Sequence, residues 1–266
     1  ISDFEIIIWT TTPWTMPGNR AVAYGKDIDY SLIEVTNVGE NSLAKIGDKI
    51  IIAKELVEDV MKEISVLSFN SSNTLKGSDF AGTVLAHPLN NNGYEHEVLL
   101  LEADFVTTDQ GTGFVHIAPG HGADDFELGR QNNLPIPETV SDNGILNSDL
   151  PLLGGLRVLK DNEIIADIMS EHNALIGRGK LNHSYPHSWR SKAPLVFRTT
   201  PQWFISMTSN DLRDTSLKAL SQTVFYPPQG QNRLTKMIED RPDWCISRQR
   251  AWGVPLAIFV NKKTQE

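Results

Sequence analysis

Cysteine is almost absent from this sequence, since Cys245 is the only one among 266 residues. A single thiol cannot form a disulfide within the chain, and it cannot supply the several cysteines of a structural zinc site. Chains that make no use of disulfides are typical of reducing compartments. The sequence therefore predicts a cytoplasmic protein that is held together by its core rather than by covalent bridges.

Long hydrophobic runs and several common catalytic motifs are also missing. No apolar stretch approaches the ~20 residues of a membrane-spanning helix, so we expect no membrane partner. There is no G-x-S-x-G motif, which excludes a nucleophile-elbow hydrolase, and no GxxxxGKS/T loop, which excludes a phosphate cradle of that type. The sequence begins without Met and shows no signal peptide, so we expect a piece cut from a longer protein.

Basic residues are outnumbered, with 24 Lys and Arg against 33 Asp and Glu and a net charge of −9. This balance does not favour a general nucleic-acid binder. The charge is uneven, because residues 1–187 carry a net −15 and residues 188–266 a net +6. Together with the turn-rich, aromatic stretch 180–203, this predicts a boundary near residue 187, with a domain at 1–187 and a different segment at 188–266.

Short strand patterns dominate the first 120 residues and are separated by Gly, Asn and Asp turns. Such a chain, with a few helices added, predicts a mainly β protein of the α+β class, an antiparallel β-barrel-like domain decorated by helices. Helical spacing occurs at 53–64, 161–172, 211–220 and 231–239, with Asp161 or Asn162 as an N-cap. The predicted strands are 4–9, 21–24, 30–35, 49–53, 83–86, 97–103, 113–117 and 253–260.

A hydroxyl-rich segment follows the first apolar strand, and residues 5–21 read EIIIWTTTPWTMPGNRA. Thr is β-branched and fits a strand, and Pro13 and Pro17 would end it, so a purely structural interpretation is open. The alternative is a site, because a loop after a rigid strand can hold hydroxyl and amide groups toward a ligand. Both interpretations remain open at this point.

A second polar segment, residues 111–130, reads GTGFVHIAPGHGADDFELGR. A strand ends near His116, a glycine turn follows, and a helix begins at Ala123. Asp124 and Asp125 fall in the first helical turn, where carboxylates commonly cap free N–H groups. Alternatively, a carboxylate there could bind an ammonium group through charge-assisted hydrogen bonds.

Metal binding is a further alternative for the same segment. His116, His121 and Asp125 could supply nitrogen and oxygen ligands, although their spacing fits no strong zinc motif. His183 and His187 are also four residues apart, but Pro186 argues against a shared helical face. The expected metal content is therefore none.

Taken together, these segments resemble isoleucyl-tRNA synthetases. WTTTPWTMPGNRA resembles the threonine-rich signature of their editing (CP1) domain, and GTGFVHIAPGHGADD resembles their second editing motif. SYPHSWRSKAPLVFRTTPQWF and RPDWCISRQRAWGVP are similar to the segment in which the inserted domain returns to the catalytic core. The resemblance runs from about residue 8 to 256, and the GHG variant is similar to bacterial or organellar members.

The resemblance implies an aminoacyl-tRNA deacylase that removes valine from misacylated Val-tRNA(Ile) by positioning a water. A hydrophobic pocket distinguishes valine from isoleucine by only ~1–3 kcal/mol, and isoleucyl-tRNA synthetase is the usual example of this limit, so a second pocket rejects isoleucine by size. HIGH and KMSKS motifs are absent. ATP-dependent isoleucine activation, with Mg, would therefore belong to the parent ligase, and no cofactor is expected in this piece.

By motif position, the resemblance also implies roles for individual residues. The catalytic set is Thr12, near the scissile ester or its water, Asn19, which would place the water or the terminal adenosine, and His116, which would limit pocket size and contact substrate. Asp125 would bind the α-ammonium group. The remaining substrate-binding residues are Trp9, Thr10 and Thr11.

Three positions depart from the family pattern or leave a choice open. Gly18 stands where many relatives have Ala, Ile117 stands where relatives often have Thr, and Asp124 could substitute for Asp125. The expected partners are the valine-carrying 3′ end of tRNA(Ile) and the catalytic core of the parent synthetase, with the chain a monomer. The alternatives are a non-catalytic tRNA 3′-end binding module and a metal-dependent hydrolase.

Overall fold

The computed structural model describes residues 3–181, 184–249 and 253–264. The chain divides into two compact units, Ile1–Thr199 and Thr200–Glu266. The functional boundary near residue 187 stays a prediction. No helix in the described ranges is long and apolar enough to cross a membrane.

The described part of the first unit has eight strands in two four-stranded sheets, ordered β1-β4-β3-β5 and β6-β7-β2-β8. The mixed α+β class is confirmed. The described strands do not close into a barrel, and β1–β4 and β2–β7 pair in parallel, which departs from the expected antiparallel arrangement. Parallel neighbours need long crossovers that local sequence patterns do not reveal. The strands are β1 (Glu5–Ile6), β2 (Ala21–Tyr24), β3 (Asp29–Val38), β4 (Lys49–Ala53), β5 (Val66–Lys76), β6 (Val84–Ala86), β7 (Glu97–Glu102) and β8 (Phe114–Ile117).

Strand β2 lies at the centre of the packing because both of its faces are buried. Val22 and Tyr24 join the main core, which also contains the inward faces of β3 and β4. Ala21 and Ala23 face a smaller core with Leu128 of the helix that follows β8. Successive side chains point to opposite faces of a strand, so one four-residue strand serves two cores.

Three helices and a third core complete the first unit. The helices are α1 (Val57–Glu63), α2 (Ala123–Gln131) and α3 (Asn162–Glu171), with short 3-10 helices at Pro13–Gly18, Lys54–Leu56 and Gly77–Phe80. The third core joins Trp14 and Met16 of the first 3-10 helix to Ile165 and Met169 of α3. Apolar packing against α3 therefore holds the hydroxyl-rich segment in place.

Most strand predictions are confirmed, but two predicted strands are wrong and one strand was missed. The predicted strand 4–9 is only Glu5–Ile6, because pairing with β4 ends at Ile51. The eleven-residue β5 was missed, since its exposed, Ser- and Asn-rich sequence lacks an apolar face. The apolar run 253–260 contains no strand. Phe259 in this run is 96% exposed, so its side chain is not packed in a hydrophobic core.

Helix predictions agree within a few residues. The predicted helix 53–64 divides into Lys54–Leu56 and α1. Asp161 does take the N-cap position of α3, but its carboxylate makes no capping bond. It instead accepts hydrogen bonds from Arg157, including the backbone N–H at 2.8 Å. The N-cap position was thus predicted correctly without the reason for it.

The second unit contains α4 (Leu212–Ser221), α5 (Gln229–Glu239) and the antiparallel strands β9 (Phe204–Ile205) and β10 (Trp244–Cys245). Neither of its α-helices has a buried residue. Exposure of apolar side chains near the C-terminus was expected, and Phe259 and Val260 are exposed. Trp252, named in the same expectation, lies outside the described residues.

Candidate functional site

The threonine-rich segment leaves the sheet after β1 and enters a 3-10 helix at Pro13. Thr10 Oγ1 accepts a hydrogen bond from the backbone N–H of Thr12 at 3.0 Å and lies 3.3 Å from Thr12 Oγ1. Short hydroxyl side chains stabilise turns in this way, and proline suits the first helical position. The hydroxyls of Thr10 and Thr12 therefore lie together, half-buried, where the helix begins. Residues Thr10–Thr12 are called the threonine turn below.

A hydrogen-bonded chain joins this turn to His116 on β8. Asn19 Nδ2 lies 2.9 Å from the carbonyl oxygen of Ala21, 2.8 Å from His116 Nδ1 and 3.3 Å from the carbonyl oxygen of Ile117, so its two N–H groups are shared among three acceptors. Nδ1 is therefore the acceptor, and Nε2–H donates to Thr15 Oγ1 at 3.0 Å. Both ring nitrogens of His116 are used within the protein.

Thr15 completes the chain and was missed by the sequence analysis. Its hydroxyl donates to the carbonyl oxygen of Thr12 at 2.8 Å, so His116 acts on the Thr12 main chain through Thr15. The available signal was its position three residues after Thr12, the spacing of a 3-10 hydrogen bond. The same pair also makes a backbone bond of 3.0 Å.

His116 is buried and neutral. Burial, and secondarily His87 and His121, lower its pKa to about 3. A histidine with that pKa is unprotonated at neutral pH and is a weak proton acceptor. Together with its two internal hydrogen bonds, this suits a positioning role rather than proton transfer.

Asp125 lies beside the same strand end. Its Oδ2 accepts a hydrogen bond from the backbone N–H of Ala118 at 2.7 Å, and Asn19 is bonded to the carbonyl of Ile117, the preceding residue. Burial raises the pKa of Asp125, and the hydrogen bond from Ala118 opposes that shift. Asp125 lies in the first turn of α2, whose N-cap is Gly122, and its carboxylate is hydrogen-bonded to its own backbone N–H as well as to that of Ala118, so the capping interpretation explains only part of its contacts.

His121 links the turn after β8 to three other parts of the first unit. Its ring stands edge-on to Trp14, with centroids 5.2 Å apart. Nδ1 lies 2.9 Å from the carbonyl oxygen of Phe197, and Nε2 lies 2.7 Å from Thr139 Oγ1. From the sequence, His121 was expected only as an alternative metal ligand.

Two further side chains support the C-terminal end of the 3-10 helix and were not foreseen. Arg20 Nη1 donates to the carbonyl oxygens of Pro17 and Asn19 at 3.2 and 2.6 Å. His96 Nε2 lies 2.9 Å from the same Asn19 oxygen. Burial lowers the pKa of both groups.

A fourth histidine holds the middle of the 3-10 helix. His87 Nδ1 accepts a bond from the backbone N–H of Leu89, so Nε2–H donates to the carbonyl oxygen of Met16 at 2.9 Å. The ring stacks on Tyr94 and is 2% exposed. Burial lowers its pKa to about 4. No motif in the sequence pointed to this residue.

The other predicted positions lie around this centre. Trp9 and Thr11 are exposed. Asp124 is exposed while Asp125 is half-buried, a difference that favours Asp125 as the functional carboxylate. The side chain of Ile117 is fully buried in the small core under α2, so this substitution does not face the threonine turn. A Cβ on Gly18 would lie 3.1 Å from His121 Cδ2, a tight but small crowding.

The metal hypothesis finds no support among residues 3–181, 184–249 and 253–264, where no group of three His, Cys, Asp or Glu side chains could hold an ion. The side chains of His116, His121 and Asp125 are each hydrogen-bonded to other groups of the protein. His183 lies outside the described residues, so the His183–His187 pair stays without a structural description.

A family model for tRNA synthetases class I (I, L, M and V) matches residues 2–266. The chain is 49% identical over 266 residues to an isoleucine–tRNA ligase from Pelagibacter ubique (strain HTCC1062), covering all of this chain and 29% of that protein. It is also 49% identical over 278 residues to the isoleucine–tRNA ligase of Gluconobacter oxydans (strain 621H), again covering 29% of it. The chain therefore spans less than a third of these relatives.

The fold is similar to a solved structure named GlLeuRS-CP1, with a TM-score of 0.51 over 68% of this chain and 87% of that one. Sequence identity to that structure is 13%, so this likeness concerns the fold alone.

Proposed function

This chain belongs to the class I tRNA synthetase family (I, L, M and V), and from that premise we propose that it is the editing part of an isoleucine–tRNA ligase. Its reaction is hydrolysis of valine from Val-tRNA(Ile), with isoleucine excluded by size. One observation carries the proposal: Asn19, which follows the 3-10 helix, and Asp125 of α2 are bonded to successive residues, Ile117 and Ala118, at the end of β8.

In the proposed site, two kinds of group would act on an aminoacyl ester. The hydroxyls of Thr10 and Thr12 can donate to and accept from an ester oxygen or a water. Asp125, when ionised, offers acceptors to the α-ammonium group, which has a full charge and only donors. Substrate would then be held at its ammonium end while its carbonyl faces the threonines.

The chemistry needs no protein nucleophile. Water attacks the carbonyl carbon, the bond from that carbon to the ribose oxygen breaks, and the ribose oxygen takes the proton released from the water. Positioning supplies much of the rate in such reactions. We assign His116 and Asn19 to holding the Thr12 turn, and direct contact of either with substrate stays a prediction.

The wider setting is proposed on the same basis. The partners would be the 3′ end of tRNA(Ile) and the remainder of the synthetase, which would also bind ATP and Mg. The protein would be a cytoplasmic monomer. The acidic balance of residues 1–187, 12 basic against 27 acidic side chains, predicts weak tRNA binding by this unit alone, because phosphate contacts need Lys and Arg.

Asp125→Asn is the test, with Asp124→Asn as its matched control. The asparagine keeps an oxygen for the Ala118 N–H and removes only the charge. Loss of one charge-assisted hydrogen bond of about 1.5–3 kcal/mol predicts a 10- to 100-fold lower kcat/KM for Val-tRNA(Ile) hydrolysis. Asp124 is exposed, and its variant should hydrolyse at the original rate. An unchanged rate in Asp125→Asn would remove the carboxylate from the mechanism.

Two further observations separate the alternatives. A non-hydrolysable valyl-adenosine ester should bind at Thr10–Thr12 and Asp125, while the isoleucyl ester should not. Binding of tRNA without any turnover would favour the non-catalytic module. Loss of hydrolysis on treatment with a chelator would instead favour the metal-dependent hydrolase.

A further inference from the structure

His121 has no free ring nitrogen. Thr139 is 1% exposed, and its hydroxyl lies 2.7 Å from Nε2. A backbone carbonyl can only accept, so Nδ1–H donates to Phe197 and Nε2 accepts the Thr139 hydroxyl proton. Burial lowers the pKa of His121, in agreement with this neutral form. The side chain therefore cannot act on a substrate through its nitrogens and must act through its neighbours.

One of the neighbours of His121, Ala118, is hydrogen-bonded to Asp125. The backbone N–H of His121 donates to the carbonyl oxygen of Ala118 at 2.8 Å, and the N–H of Ala118 donates to Asp125 Oδ2 at 2.7 Å. The turn 118–121 thus has His121 at one end and the Asp125 contact at the other. A rotation of this turn would move the Ala118 N–H away from the carboxylate.

The opposite edge of the ring faces the 3-10 helix that follows the threonine turn. Trp14 packs against the ring, and a Cβ on Gly18 would lie 3.1 Å from Cδ2. His121 is thus the one side chain described above that contacts the 3-10 helix and also belongs to the turn that holds Asp125. Its position sets the spacing between these two halves of the site.

The far side of His121 rests on an anchored segment, residues 197–199. Arg198 donates to the carbonyl oxygen of Val140 at 3.2 Å and pairs with Asp142. Thr199 lies against Gly120, where an added Cβ would be 3.7 Å from its side chain. The carbonyl of Phe197, which accepts the Nδ1–H bond of His121, therefore lies in a segment that is held by contacts of its own.

We propose that His121 is a positioning residue for the deacylation, which ties the Asp125 turn to Thr139 and to segment 197–199 and so sets Asp125 at a working distance from the threonine turn. This rests on the proposed function. It assigns to the glycine-flanked histidine a task distinct from metal binding and from substrate contact.

The test compares His121→Phe, His121→Asn and Thr139→Val in the full chain. Phenylalanine keeps a ring against Trp14 and removes both hydrogen bonds. Asparagine can keep the donor to Phe197, and valine removes the Thr139 hydroxyl with little change of shape. Hydrolysis of Val-tRNA(Ile) is measured as kcat and KM, and hydrogen exchange is measured at the Ala118 amide, with the amides of β3 as reference.

We expect His121→Phe to lower kcat about 10- to 100-fold, with KM changed less than about threefold, because a small misplacement affects the reacting geometry more than binding. Ala118 exchange should rise at least about tenfold while β3 exchange stays the same. His121→Asn should recover part of both effects. Thr139→Val should act in the same direction as His121→Phe, and the double variant should be no worse than His121→Phe alone.

Each result has a defined meaning. An unchanged kcat in His121→Phe, or an Ala118 amide that stays protected, overturns the proposal. Equal acceleration of Ala118 and β3 exchange also overturns it, since the residue would then stabilise the whole unit rather than the turn. If the unsubstituted chain hydrolyses nothing, the proposed function fails, and the coupling of His121 to the turn is judged from Ala118 exchange alone.

Discussion

Lowering the pH from 7 to 5 should destabilise the first unit by about 4 kcal/mol, because two buried histidines cannot take up protons while it is folded. His116 and His87 have folded-state pKa values of about 3 and about 4. In the unfolded chain both would titrate near the ordinary pKa of about 6.5. The unfolded state therefore binds more protons as the pH falls, and stability is lost with it.

The magnitude follows from the two pKa values. Between the unfolded and folded pKa, each histidine changes the free energy of unfolding by about 1.4 kcal/mol per pH unit. From pH 7 to pH 5 this amounts to about 2 kcal/mol for each residue, since the unfolded form is half protonated only at about pH 6.5. The sum is a large part of the 5–15 kcal/mol typical of a domain, so the effect is easy to measure.

Other titrating groups add little in this pH window or act in the same sense. Burial also lowers the pKa of His96 and His121, which increases the loss. The pKa of Asp161 is lowered by its hydrogen bonds with Arg157, so its contribution disappears only below its ordinary value of 3.8. The raised pKa of Asp125 has the opposite sign and favours the folded state slightly as the pH falls.

Urea unfolding at several pH values, followed by the far-ultraviolet circular dichroism of the sheets, measures this loss. His87→Gln should remove about half of the pH dependence that the unsubstituted chain shows. If His87→Gln does not fold, the imidazole resonances of the unsubstituted chain give the answer directly. A loss below about 1 kcal/mol, or titration of both buried rings near pH 6.5, would refute the reasoning.

Two structural predictions concern close packing around β3 and the loop before β8. Gly113 has φ +79°, and an added Cβ would lie 2.3 Å from Ala53 Cβ. Gly113→Ala should therefore lower the free energy of unfolding by about 3 kcal/mol or more, measured by thermal unfolding. The control Gly82→Ala, at φ +76° with no atom within 4 Å of the added Cβ, should lower it by only about 1 kcal/mol. Equal losses would show that backbone strain alone decides. Tyr30→Phe removes the hydroxyl that accepts from Gly25 N–H and donates to Gly113 O, and it should lower stability by about 2–3 kcal/mol in urea unfolding, a result that a loss under 0.5 kcal/mol would contradict.

The candidate site was predictable to the extent that its residues occur in two short segments. Thr12 and Asn19, and likewise His116 and Asp125, are close in sequence, so local patterns indicated two candidate segments and the family resemblance then implied these residues within them. Thr15 was not predicted, because its importance comes from His116 on β8, a partner 101 residues away in the chain. Residues with such partners are defined by contacts that no sequence window contains.

The fold shows the same division. Strands with a continuous apolar run were predicted closely, as for β2 and β4, since such a run is typical of a strand that is buried on both faces. The polar strand β5 was missed because it is an edge strand, paired with β3 alone and largely exposed. Only Val66, Phe69 and Leu75 of β5 contact the main core, so most of the strand is held by backbone pairing with β3, which hydrophobic periodicity does not detect.

The sequence by itself determined the family, the α+β class and the two segments that contain the candidate site. Each of these depends on the types of residue that lie close together along the chain. Only the tertiary structure decided that His116 has both nitrogens engaged, that Asp125 rather than Asp124 is half-buried, and that Ile117 faces a core. Burial and hydrogen-bond partners set these properties. They arise when segments about a hundred residues apart, such as Asn19 and His116, come into contact.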